Sequence, residues 1–218
     1  MNDIGKQLYQ IVPKNMAFDC SMVVDSAIDS KKPEDTQNNY SVRESLLARE
    51  CAIKALGKLG TQVKVISNGP EGNPLWPKGF TGSLSHSKGQ CMAIVGRDYD
   101  YPTIGLDLEL NDRIKPATIS RITHPLEEAF IGLDRGKGTL LFSLKEAFYK
   151  AQFPLYEIPL GFKDVAFKID ETKNTASIFW LSEKLPLKQS DYKEWEFVYK
   201  TIGAYTAVLC WLKNKTNS

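Results

Sequence analysis

The chain has 218 residues, 42% of them apolar, and its 28 basic and 26 acidic side chains leave a formal net charge of +2. That balance lacks the strong basic surface of a nucleic-acid binder and directs attention to a small or locally charged ligand. Four cysteines, at 20, 51, 91 and 210, lie far apart with no C-x-x-C pair, which argues against a structural zinc site or a disulfide framework and suits reduced thiols in the cytoplasm.

The first residues, MNDIGKQLYQIVPKNMAF, carry no basic stretch followed by an uninterrupted apolar core. The longest apolar run, AYTAVLCWL, is too short to span a bilayer, so no membrane insertion is expected. The polar stretch DSKKPEDTQNNY at 29–40 reads as a surface loop. Residues 41–60 place apolar side chains at 46, 47, 52, 53 and 56, which is helical spacing, and Gly60 is a stop signal. A Gly/Pro-rich loop at 69–83 follows, then strands at 90–96 and 103–110. THPLEEAFIGL predicts a short helix with Pro125 in its first turn and His124 as a helix-start residue. A longer helix is predicted over 139–153, and four strands over 164–170, 175–181, 195–202 and 204–212. The order helix-then-strands occurs twice. The expected fold is therefore α+β with two similar halves, 1–111 and 112–218.

Two short stretches carry chemistry. In IGLDLEL, residues 104–110, strand alternation puts Asp107 and Glu109 on one face with Gly105. Adjacent carboxylates need solvent, a basic partner or a divalent cation, and the heptapeptide alone leaves a solvated strand face open. In FSLKEAFYKA, residues 142–151, Glu146 and Lys150 are one helical turn apart. There, too, a structural alternative stands: Ser143 and Glu146 fit a capping box, and Glu146/Lys150 an exposed helix pair.

WPKGFTGSLSHS, then IGLDLE, then FSLKEAFYKA, preceded by the Arg-bearing SVRESLLARECAIKAL, resemble the 4′-phosphopantetheinyl transferases of the enterobactin-synthetase and surfactin types. The resemblance runs from about residue 43 to residue 151. It implies a pseudo-dimer of two α+β halves with coenzyme A and Mg²⁺ in the cleft between them. It also implies an enzyme, acting as a monomer, that moves the phosphopantetheine arm of coenzyme A onto a serine of an apo acyl, peptidyl or aryl carrier protein and releases adenosine 3′,5′-bisphosphate.

By the same resemblance, Asp107, Glu109 and Glu146 are metal ligands, with Glu146 alternatively the base that takes the serine proton, and Lys150 stabilises phosphate charge. Ser85 and His86 match the family's phosphate-binding S-H pair, Arg43 and Arg49 its basic residues near the adenosine 3′-phosphate, and Lys78 is a helper. Asn73 stands where surfactin-type enzymes carry a lysine, so that contact is expected from elsewhere. The carrier and its pathway, siderophore or otherwise, are not legible. Two alternatives remain open: a metal-dependent phosphohydrolase or nuclease, and a non-catalytic carrier-binding relic of the fold. Against the first, Glu109 is followed by Leu110 and Asn111 rather than x-Lys, and Lys137 is followed by glycine, so neither an E-x-K pattern nor a P-loop is present.

Overall fold

The computed structural model describes residues 3–23, 33–132 and 134–214. A short helix α1 (Asp3–Leu8) and strand β1 (Met16–Met22) precede the long helix α2 (Pro33–Lys58). The stretch expected as a loop is helical from Pro33 onward, and its residues 29–32 lie outside the described residues. Gly60, at φ +80°, ends the helix as its sequence position predicts, because a left-handed conformation is open to glycine at little cost.

Strands β2 (Ser67–Asn68) and β3 (Pro74–Leu75) form a small hairpin within the Gly/Pro-rich segment. Strands β4 (Phe80–Ser87) and β5 (Gln90–Arg97) follow, joined by Lys88 and Gly89 at φ 48° and 85°. Two consecutive positive φ values are what a two-residue hairpin turn needs to match strand twist. Then come β6 (Ile104–Leu110), α3 (Pro116–Ile122), a 3₁₀ turn at Pro125–Glu127, α4 (Glu128–Ile131) and α5 (Arg135–Tyr156). His124 does start the 3₁₀ turn, its Nδ1 accepting the Leu126 N–H at 3.2 Å. Strands β7 (Val165–Asp170), β8 (Thr175–Leu181), β9 (Trp195–Ile202) and β10 (Tyr205–Leu212) close the chain.

Hydrogen bonding sorts the strands into an antiparallel sheet β1-β5-β4, a second of order β6-β10-β9-β8-β7, and the β2-β3 hairpin. Alternation then builds four layers. Ala17, Ala93 and Val95 face α2, while Met16, Phe18, Met92 and Ile94 face the other way, onto Ile104, Leu106, Leu108, Ala207 and Leu209 of the larger sheet. The far side of that sheet, with Val208, Cys210 and Phe197, packs on Leu144, Phe148 and Ala151 of α5. The order is helix, sheet, sheet, helix, and the α+β class with two halves stands.

One local expectation is corrected. Helix α5 begins at Arg135, capped by Asp134, whose side chain accepts the Lys137 N–H at 2.8 Å. Ser143 therefore lies well inside the helix and caps nothing. Its buried Oγ has no hydrogen-bond partner among the described residues. The capping-box account of Glu146 falls with it. Among the described residues no helix is long and apolar enough to cross a membrane.

Candidate functional site

Strand β4 runs beside β6 where the two sheets meet, and α5 packs on β6; these elements, with the middle of α2 and the β2-β3 hairpin, frame a cleft of about 640 Å³. The face of β6 turned to α5 carries Gly105, Asp107 and Glu109. A Cβ on Gly105 would stand 1.9 Å from the Ala147 carbonyl oxygen, so only glycine lets α5 lie this close. Asp107 and Glu109 are 4% and 6% exposed, which rules out the solvated strand face.

Both carboxylates are met by serines of β4. Ser85 Oγ donates to Asp107 Oδ1 at 3.2 Å and accepts the Leu108 N–H at 3.1 Å; Ser87 Oγ donates to Glu109 Oε2 at 3.0 Å. These bonds join the two sheets where no backbone ladder does. Lys150 Nζ reaches from α5 to Asp107 Oδ1 at 2.7 Å, the Leu106 carbonyl at 3.0 Å and Ser85 Oγ at 3.3 Å. Lys150 thus pairs with Asp107 rather than forming the exposed helix pair its spacing from Glu146 allowed. Arg113, just after β6, donates to Glu109 Oε1.

Glu146 lines the same cleft one turn before Lys150. Burial holds its carboxyl above the usual glutamate range; Lys150 opposes that shift, and the neighbouring Asp107 and Glu109 add to it. Asp107 Oδ2 is buried and has no hydrogen-bond partner among the described residues. An oxygen left in that state costs about 1–3 kcal/mol, and a hard cation is a partner suited to it. Among the described residues no group of three His, Cys, Asp or Glu side chains is gathered as a metal-binding cluster. Lys150 and Arg113 stand against the carboxylates instead.

At the other end of the cleft, Arg49 donates to the Ser45 carbonyl at 3.2 Å, to Ser45 Oγ at 2.7 Å, and to Asn68 Oδ1, which ties α2 to the β2-β3 hairpin carrying Asn73. His86 follows Ser85 on β4 and so turns to the opposite face, where its Nδ1 lies 3.3 Å from Glu44 Oε2 of α2. The cleft lining therefore brings together Arg49, Ser85, His86, Asp107, Glu109, Glu146 and Lys150. Arg43 and Lys78 are exposed and are not part of that lining. Sequence reasoning missed Arg113, although its i+4 spacing from Glu109 was visible, and Glu44, whose partner is remote in the chain.

Lys145, beside Glu146 but on another helix face, belongs to a different network. Its buried ammonium pairs with Glu127 Oε2 at 2.8 Å and donates to the carbonyls of Ile122 at 2.8 Å and Phe162 at 2.7 Å. Burial lowers the Lys145 pKa, and Glu127 opposes the shift. This pair holds the 157–164 segment against α5. Between them a smaller cavity of about 230 Å³, lined by Phe148, Leu160 and Phe162, shares Glu146 and Tyr149 with the cleft.

Comparison with known proteins agrees with this architecture. The family model of the 4′-phosphopantetheinyl transferase N-terminal domain matches residues 41–96, and that of the 4′-phosphopantetheinyl transferase superfamily matches residues 103–210. The chain belongs to the 4′-phosphopantetheinyl transferase superfamily. It is 37% identical over 139 residues to the 4′-phosphopantetheinyl transferase PptT of Mycobacterium tuberculosis, covering 59% of this chain and 60% of that protein. Npt of Nocardia iowensis, also a 4′-phosphopantetheinyl transferase, is 35% identical over 138 residues, with the same coverage of 59% and 60%. Enterobactin synthase component D of Salmonella typhimurium is 32% identical over 114 residues, or 50% of this chain and 47% of that protein. The matches to PptT and Npt thus span 60% of the length of those relatives.

Proposed function

We propose that this chain transfers the 4′-phosphopantetheine arm of coenzyme A to a serine hydroxyl of an apo carrier protein in the cytoplasm, releasing adenosine 3′,5′-bisphosphate. The observation that carries the reading is the convergence of Asp107, Glu109, Glu146 and Lys150 in one cleft framed by both halves. In the reaction the serine oxygen bonds to phosphorus, the pyrophosphate P–O bond breaks, and the serine proton leaves. Glu146, with a raised pKa, is poised to accept that proton, and Lys150 to meet charge growing on the phosphate oxygens.

Asp107 and Glu109 would hold Mg²⁺, for which their oxygen donors and the unpartnered Asp107 Oδ2 are suited, and Glu146 is their third ligand in the alternative in which it is not the base. When bound, the ion would neutralise pyrophosphate charge. Arg49 and His86 are the groups for the coenzyme's other phosphates, and Arg49, fixed to the hairpin that bears Asn73, is the cation best placed to serve where surfactin-type enzymes use a lysine. The uncharged pantetheine arm suits the smaller apolar cavity beside Glu146. We place the division between halves before β6, because that strand pairs with β10 and not with β5.

The test is mass spectrometry of apo carrier proteins incubated with this chain, coenzyme A and Mg²⁺. The expected result is a mass gain of one phosphopantetheine on the carrier, abolished by a chelator. Hydrolysis of coenzyme A with no modified carrier would point to a phosphohydrolase, and carrier binding with neither reaction to a non-catalytic relic.

A further inference from the structure

The buried carboxylate of Glu44 has no part in the chemistry above. Glu44 lies on α2, 7% exposed, and each of its oxygens faces a nitrogen of the β4-β5 hairpin. Oε1 accepts the backbone N–H of Gly89 at 2.5 Å, and Oε2 lies 3.3 Å from His86 Nδ1. The Gly89 turn is held further by the Tyr205 hydroxyl, which donates to the Lys88 carbonyl at 3.3 Å, and by Cys91 Sγ, which donates to the Glu44 carbonyl at 3.3 Å. Glu44 is thus the side chain that fixes the turn and the imidazole together.

A carboxylate only accepts, so a hydrogen bond across this contact has Nδ1–H of His86 as its donor. With Nδ1 so engaged, Nε2 is the ring atom left for a ligand in the cleft, which His86 lines. We infer that Glu44 is a positioning residue: its carboxylate takes the Nδ1–H of His86 and turns Nε2 to the cleft, where, as the second N–H of an imidazolium, it donates to an anionic group of the substrate. The inference rests on the reading of this cleft as the coenzyme A site, and on His86 as one of its phosphate contacts.

Glu44→Gln separates the two duties of the carboxylate. The amide has one acceptor oxygen, which can keep the Gly89 bond, while its NH₂ then faces His86 and demands an Nδ1 without hydrogen, so the doubly protonated ring that pairs with an anion is lost. Glu44→Gln, His86→Ala and the double variant would be compared for the apparent KM of coenzyme A and of an apo carrier, and for melting temperature. Both single variants should raise the coenzyme A KM about tenfold, corresponding to about 1.4 kcal/mol, and leave the carrier KM within twofold. In the His86→Ala background the Glu44→Gln change should add less than twofold, because a residue acting only through another has nothing left to act on.

If His86→Ala raises the coenzyme A KM and Glu44→Gln does not, the positioning role is wrong while the cleft reading stands. Equal effects of Glu44→Gln in both backgrounds would make Glu44 a purely structural anchor. Should His86→Ala leave the coenzyme A KM unchanged, the assignment of His86 fails and takes the inference with it. A second measurement needs no variant of Glu44. The untagged chain has only two histidines, so NMR of the ring nitrogens, assigned with His86→Ala, reads the tautomer directly. A His86 Nδ1 without its proton in the free protein overturns the proposal.

Discussion

Glu146 is the residue at which competing structural and chemical accounts now part. The capping account has gone, because Asp134 caps α5 and Ser143 lies in its interior. Glu146→Gln should therefore preserve the fold and lower carrier modification by at least about a hundredfold, since an amide neither accepts the serine proton nor lends charge to a cation. Stability gives an independent check with a definite sign. Burial raises the Glu146 pKa in the folded state, so the protonated form favours folding below the unfolded value, about 4.3, and that advantage is lost as pH rises through the folded value. In chelator, Glu146→Gln should match the wild-type melting temperature at pH 4 and equal or exceed it at pH 7. A variant less stable at pH 7 than at pH 4, relative to wild type, would contradict the burial term. Chain position set Asp107 beside Glu109 and Glu146 beside Lys150, because alternation and helical turns are short-range rules, and the family resemblance supplied their roles. It did not reveal that Lys150 chooses Asp107, or that Glu44 meets His86, because those pairings depend on how β4, β6 and α2 are brought together.

At the scale of elements, the site depends on how closely α5 lies on β6. Gly105 sets that distance, and Gly105→Ala would drive a methyl into the Ala147 carbonyl, forcing helix and strand apart. The expected result is a loss of stability of about 1–3 kcal/mol with a larger fractional loss of turnover, because Glu146 and Lys150 ride on the displaced helix while Asp107 and Glu109 stay on the strand. Denaturation and carrier modification together check it, and unchanged turnover would show that the helix moves without carrying the site. The other face of α5 is anchored by the Glu127–Lys145 pair, with both side chains only 2% exposed. Glu127→Ala leaves a buried ammonium without its counter-charge and should cost about 3–5 kcal/mol, measured by urea unfolding. Periodicity predicted these helices and the last four strands well. It missed β1 and β4, since the latter alternates small polar residues against glycine and leucine, and its inner-facing Ser85 and Ser87 look like loop residues until their carboxylate partners are known.

For the whole molecule, the question is whether two halves mean two folding units. The family models break between residues 96 and 103, and the sheets divide there as well. The core does not. Met92 and Ile94 of the first sheet are 2% and 1% exposed because Ile104, Leu106, Ala207 and Leu209 of the second cover them, and Ser85 and Ser87 bond to carboxylates of the opposite sheet. Separating the halves would expose both sides of this apolar layer, at about 1.5–3 kcal/mol for each large side chain. Neither half should then be stable without the other, and calorimetry should record one transition whose van't Hoff and calorimetric enthalpies agree. Leu209→Ala, in the shared layer, should lower that single transition by about 2–5 kcal/mol of stability without splitting it, since its loss is felt by both sheets. Two resolved transitions in the wild type, or a Leu209→Ala variant in which only one of two moves, would make the halves autonomous, and the cleft between them an interface that opens independently of unfolding.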